Sequence, residues 1–554
     1  MKSLRLLPLR LSLPLCACLA ACSATKDTSG PTNLDSSVGN PDSSLKIDGG
    51  DFDVSGFDAS DPETPPVVGD PKTCTEAAAA KTYVGCDFWP TVTDNIVRPD
   101  FDYAVAVANT GDVDADITVT KAGATVATDR VPAGGLTTLY LPWVPELKAI
   151  SPDNGCGTDA KLATVRAKNG AYHLTTSRPV TVYQFSAIEY AGKGGPKGKD
   201  WTAVCAKNCL GLLGCFSYTN DASLLLPTAA LTGNYRVAGV PSWTFDSGGS
   251  SFTFPPYFAV TGTKNGTSVT VKLSSAGSIT AGGGITATSG GGTTTFALDE
   301  GEVVMIIGTA SADLSGSLIK ASAPVQVITG ISCTQMPHGV EACDHLEESL
   351  LPVETLGKHY FATVPTAPTG TAAKAVVMLY GNVDGTVLTY PGTKPAGAPG
   401  KIDAGQVVDL GVVTSDFEIV GDHELTVATF MHGAGPVTGA AKGDPSQSFA
   451  TTVEQYRKKY VFLAPIDYDA NYVDIVQPMD AVLTLDGAAV TAKPTLISSG
   501  FGVTRVRLGI GKGGAHVLEG DKPFGIQVLG YGSYTSYQYP GGLNLGVISP
   551  VPIK

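Results

Sequence analysis

The chain has 554 residues, of which 43 % are hydrophobic and only 16 % charged, with 66 Gly and 37 Pro. This is ample material for a core, in a composition of short strands and tight turns that excludes long-helix folds and predicts an all-β class. A net charge of −14 repels phosphate backbones, and no basic stretch interleaved with aromatics offsets it, so nucleic acid is excluded as a partner.

Residues 1–21 read as an export signal. Lys2, Arg5 and Arg10 make a basic start, Leu11 to Leu19 an apolar run too short to span a bilayer, and Leu19-Ala20-Ala21-Cys22 closes it. Those four residues resemble a bacterial lipobox. The resemblance implies cleavage before Cys22, a diacylglycerol on its sulfur and acylation of the new amine, enough chains for stable anchoring. Ser23 after the cysteine resembles the pattern sorted to the outer membrane, so the expected location is the outer membrane or cell surface, with the membrane contacted through the lipid.

Residues 22–73 are predicted to be a disordered tether. Ser, Asp, Gly, Pro and Thr dominate, and ten acidic groups from Asp27 to Asp70 face only Lys26, Lys46 and Lys72, so apolar burial cannot offset ordering entropy. The rest, 74–554, is a repeated all-β domain. Its cysteines are Cys74, Cys86, Cys156, Cys205, Cys209, Cys215, Cys333 and Cys343, an even set that in an oxidising compartment predicts four disulfides. Proximity favours Cys74 with Cys86, Cys333 with Cys343, and two bridges among the other four. Zinc is the rival for Cys205-x3-Cys209-x5-Cys215, but no CxxC pair occurs.

One motif occurs three times: NDASLLLPTAALTGNYRVAGVP (220–241), CDHLEESLLPVETLGKHYFATVP (343–365) and GDPSQSFATTVEQYRKKYVFLAP (443–465). Each copy has an Asp (221, 344, 444), then a Tyr 14 to 16 residues later (235, 360, 460), then a Pro five or six beyond. Between copies run alternating β-branched strands such as DITVT (116–120), SVTVKL (268–273), TVLTY (386–390) and AVLTLD (481–486). Central strands begin at Pro179, Pro324, Glu424 and Pro523. Two four-strand patterns fill each interval, which gives blade-sized units and predicts a propeller-like closed array of about seven or eight. Tandem β-sandwich domains are the alternative. KTYVGCDFWP (81–90) and SYTSYQYPGG (533–542) look like incomplete pieces whose pairing would finish one shared blade and remove an exposed edge.

The strings YQF (183–185), NDASLLLP (220–227), DLSGSLIKASAPV (313–325) and ACDHLEESLLPVETLG (342–357) resemble bacterial relatives of the IgGFc-binding protein N-terminal domain family over most of residues 83–540. The resemblance implies an extracellular β-rich binding or adhesion module with no catalytic residues to carry over. Phe449-Ala450-Thr451-Thr452 departs from the Leu-Leu-Pro of the other two copies.

Candidate sites are sparse. No GxSxG, HExxH or P-loop is present, and no cofactor is expected. Gly509 to Gly514 formally fits GxGxxG, but strand-like segments flank it, so it is a turn. His338, Asp344 and His345 belong to the densest group of metal-capable side chains, yet Asp221 and Asp444 recur at the place of Asp344 without a neighbouring His, so a scaffold role is expected. Trp201 and Trp243 flank the Cys-rich insertion and are the candidates for a binding surface; Gly192 to Lys199, GKGGPKGK, is a basic loop within it. The function this predicts is a lipid-anchored surface protein, not an enzyme, that recognises a protein or glycan through loops of 144–219 and 331–349. A polysaccharide-acting propeller hydrolase or lyase and a structural envelope or matrix component are the alternatives.

Overall fold

A strand reading polar and apolar by turns can bury one face, whereas a run such as YAVAVAN must be covered on both. Both kinds are present, and they sort into two sets of sheets. The computed structural model describes residues 70–149, 160–206, 215–247, 249–340, 342–433, 442–509 and 514–549. The export signal, Cys22, the tether before residue 70, Cys156, Cys209 and the centre of the Gly509 to Gly514 turn lie outside them.

Each of four units contributes two antiparallel sheets built on four strands, and an edge strand makes a fifth in two axial sheets, Val165–Ala167 in the second unit's and Thr495–Ser498 in the fourth's. The second unit shows the pattern. Apart from a separate hairpin, Trp243–Ser247 with Ser250–Phe254, its first, third, fourth and sixth strands (Asn234–Arg236, Thr267–Lys272, Thr293–Leu298, Leu318–Ala321) form a flanking sheet. Its second, fifth, seventh and eighth (Pro256–Gly262, Val303–Ile307, Val325–Thr334, Asp344–Ser349) form an axial sheet. In the first and fourth units the sixth and seventh strands are one bent strand, His173–Ser186 and Ala515–Gly532, that serves both sheets. The last strands of the units, Ala222–Leu225, Asp344–Ser349, Gln447–Phe449 and Thr535–Pro540, pack side by side in a closed ring around a common axis.

The expected propeller-like closed array is present, but with four blades around the axis rather than seven or eight. Four sheets surround the axis and four back them, so each blade is two layers deep. One face of an axial sheet packs on its own flanking sheet, as Phe258 and Val260 do with Val269 and Ile319. The other face packs on the neighbouring unit, where Tyr257 and Ala259 belong to the same core as Val105 and Val107. Tyr103–Asn109 is accordingly buried along its whole length, while Ala115–Lys121 in the flanking sheet alternates.

The termini meet, but not in one shared blade. Gly85–Phe88 pairs with the bent strand of its own unit and Thr535–Pro540 with that of the fourth. Closure comes from a bridge between Thr82 and Asn544, with the Tyr83 N–H donating to the Leu543 carbonyl at 3.2 Å and the Leu545 N–H to that of Lys81 at 2.9 Å. The first unit also departs from the tyrosine motif. Tyr235, Tyr360 and Tyr460 pair with Ile319, Ile419 and Leu518, and the place opposite the matching Leu174 is taken by Phe88. Each of the three tyrosines accepts the N–H of the third residue before it (Thr232, Gly357, Arg457) and donates to the carbonyl that opens a central strand (Val325, Leu425, Phe524). Tyr83 instead accepts the Val461 N–H at 3.1 Å and so locks the first unit to the fourth.

Disulfides join Cys74 to Cys86, Cys205 to Cys215 and Cys333 to Cys343. No helix among the described residues is long and apolar enough to cross a membrane.

Candidate functional site

The axis is filled with polar side chains. Asp221 accepts the N–H groups of Ala222 and Glu347 at 2.9 and 3.0 Å and the Ser446 hydroxyl at 3.0 Å, tying three units together. The Ser536 hydroxyl of the fourth donates to the Asp444 carbonyl. His345 is fully buried, its Nε2 2.8 Å from the Tyr257 hydroxyl, and Glu347 accepts from Gln184 at 3.1 Å and from Thr93. Burial pushes Asp221, Asp344 and Glu348 well above the carboxylate range, with neighbouring carboxylates adding to the shift, and pushes Glu347 and Asp94 up to about 7. Burial and then Lys148 hold His345 down at about 3.

Of the metal candidates, Asp344 and His345 lie in this interior, whereas His338 is exposed in the preceding loop. Among the described residues no group of three or more His, Cys, Asp or Glu is arranged to hold a metal ion.

The segments that lead into the last strand of each unit lie at one end of the ring and meet there. The Gly433 N–H donates to the Met336 carbonyl at 2.8 Å, Gly443 to Gly532 at 3.0 Å, and the Thr535 hydroxyl to Asn220 Oδ1 at 3.3 Å. The first unit's loop is the long one, pinned by Cys205–Cys215, and Gly192 packs so closely on that bridge that a Cβ would lie 2.7 Å from Cys205 Sγ.

Three half-buried rings cross this mouth. Phe216 and Tyr218 have centroids 5.6 Å apart, and Tyr218 and Tyr534 6.5 Å. Tyr218 and Tyr534 have φ of 66° and 52°, left-handed conformations that cost a non-glycine residue on the order of 1–2 kcal/mol and concentrate at functional positions. Beneath them Tyr190 stacks on Phe216 at 6.0 Å and donates to Asp469 at 2.7 Å, and Lys442 pairs with the same carboxylate. Burial pushes Asp469 up, but these two hydrogen bonds outweigh it and leave the carboxyl below its ordinary value. Lys193 Nζ stands 5.7 Å from the Tyr190 ring centroid.

Trp201 belongs to this end. Its indole N–H donates to Gly194 at 2.7 Å, its ring packs on Phe101, and Lys199 lies over it at 4.2 Å while pairing with Asp102. The basic loop is thus folded onto its own insertion. Trp243 is elsewhere, buried at the base of the hairpin Trp243–Ser247 and Ser250–Phe254 against Phe245 and Phe254. The two tryptophans do not share a surface. Tyr218 and Tyr534 were not legible as a pair, because they stand 316 positions apart and lie outside the repeated motif.

Loops held at one end of a double-layered, disulfide-bonded ring have the layout of a binding module, in which a rigid scaffold fixes the geometry of the connecting segments. The model of the family described as IgGFc binding protein matches residues 221–530, and the chain belongs to that family. It is 29 % identical over 337 residues to the human IgGFc-binding protein, which covers 60 % of this chain and 6 % of that protein. The chain thus corresponds to a small part of its relative's length. No solved structure matches.

Proposed function

We propose that the chain is an exported, lipid-anchored surface protein whose ring-mouth loops capture an extracellular protein or glycan. The observation that carries this is the row Phe216, Tyr218 and Tyr534, rings left half-exposed at the one end where all four units converge. Rigid aromatics give large contact area at small entropic cost and are favoured anchors in recognition surfaces. The relative's name supports a protein partner, the disulfides support export, and the Leu-Ala-Ala-Cys22 pattern supports the anchor.

Cells producing the full chain are expected to incorporate an alkyne fatty acid into it, and Cys22→Ser to abolish the label; an unlabelled wild type overturns the anchor. Partner capture is tested with cells displaying the chain or its Tyr218→Asn/Tyr534→Asn double variant, since Asn removes the ring yet tolerates positive φ. Attachment to surfaces coated with IgG Fc, other extracellular proteins or glycans should fall in the double variant. Attachment to none of them, or attachment unaffected by the substitutions, overturns the reading.

A further inference from the structure

A second recess lies at the opposite end of the strands. The turn after Pro256–Gly262 adjoins the start of Val325–Thr334, since Gly262 pairs with Val325, whereas the mouth loops follow that strand's far end. Between this turn and the first unit's flanking sheet is a groove of about 320 Å³, whose lining includes Trp89, Lys121, Asn169, His173, Asn265 and Glu300. That volume is at the lower end for small-molecule sites, enough for one or two sugar rings.

The wall is built. His173 stacks on Trp89 with centroids 4.1 Å apart and planes 3° from parallel, and its Nε2 is 2.9 Å from Asp87. Trp89 is held from behind by its indole N–H on the Thr228 hydroxyl at 3.0 Å. The hydrogen bond that the ring N–H donates to Asp87 raises the imidazole's proton affinity, outweighing burial, with Glu300 adding to the effect. Asn265 Oδ1 accepts the Glu300 N–H at 3.0 Å, which fixes that turn and leaves its NH₂ as a donor. Asn169 and Glu300 are exposed, and Lys121 lies over the Tyr172 ring at 4.7 Å.

The recess therefore offers two carboxamides, a carboxylate, an ammonium and a ring-backed imidazole within one small concavity. Glu146 acts on Lys121, and Asp87 and Glu300 act on His173, so both signs of charge are present and neither cation stands alone to select an anion. Interspersed donors and acceptors of this kind match a surface of many hydroxyls, each able to donate and accept. We propose that this groove between the first two units is a binding site for a neutral saccharide, separate from the mouth.

The test is isothermal titration of the full chain with maltotriose, lactose and chitotriose as neutral probes, and 3′-sialyllactose and inorganic phosphate as anionic ones. Saturable binding of at least one neutral probe at millimolar concentration is expected. It should weaken about tenfold in Asn169→Ala/Asn265→Ala and in Glu300→Gln, the loss expected for hydrogen bonds to the ligand. Val387→Thr, on the third unit's flanking sheet, should leave it unchanged. These side chains are exposed, and circular dichroism checks that each variant is folded. A folded wild type that takes up no neutral probe overturns the proposal; so does binding confined to the anionic probes, or neutral binding indifferent to the groove substitutions.

Discussion

The axial and flanking sheets are made from the same residue types but live under different rules. An axial strand such as Tyr103–Asn109 or Ala375–Gly381 is buried at every position, because its own flanking sheet covers one face and the next unit the other. A flanking strand such as Thr386–Thr389 alternates buried and exposed. The lesson is that stability is concentrated at the axis, where units depend on one another, and that the periphery tolerates change.

The sharpest way to break that contrast is Asp221→Ala. Removing the carboxylate orphans a buried N–H on Glu347 and a hydroxyl on Ser446 in two other units, at about 1–3 kcal/mol for each. The expected total of about 4 kcal/mol would appear as a lower urea midpoint, and a shift under 1 kcal/mol would show that the units do not rely on it. Ile306→Ala, in the axial sheet of the second unit and fully buried, should cost about 2–5 kcal/mol by creating a cavity; differential scanning calorimetry reads it.

Acidity separates the two regions as well. Axial carboxyls bind their proton more tightly folded than unfolded, so stability should be highest below about 4.5 and be lost as pH rises to about 7, the range set by Glu347 and Asp94. Asp221, Asp344 and Glu348 act in the same direction. His345, held neutral, works the other way below 6.5, but is outnumbered. A melting temperature that climbs across this window would contradict the assignment, and Glu347→Gln should flatten the slope.

Tyr460→Phe tests the junction between the layers. It removes a hydroxyl that serves Arg457 and Phe524, a loss of about 1–2 kcal/mol. The first unit already has Phe88 there, so chemical denaturation should find this change tolerated by the fold though not free. Val387→Thr, on an exposed flanking position, should shift the midpoint by less than about 0.5 kcal/mol.

Much of this was legible beforehand. The recurring Asp and Tyr marked the units, alternation marked the strands, and sequence proximity suggested Cys74–Cys86 and Cys333–Cys343. Tyr83 misled, since KTYVGCDFWP resembles the motif, yet Phe88 takes the tyrosine's place and Tyr83 binds Val461 of the fourth unit. The candidate site was legible only in outline. The insertion does reach the mouth with Trp201, whereas Trp243 is buried at the base of a hairpin elsewhere, and its candidacy followed from an unrepeated position that says nothing about exposure.

By itself the sequence determined the strand class, the repeat and the periodicity of each segment, because these are set by backbone preference and by side chains two residues apart. Only the tertiary structure decided which sheets surround the axis, how the ends close, and that Tyr218 meets Tyr534. Those outcomes depend on packing between residues hundreds of positions apart, for which a single chain carries no local signal.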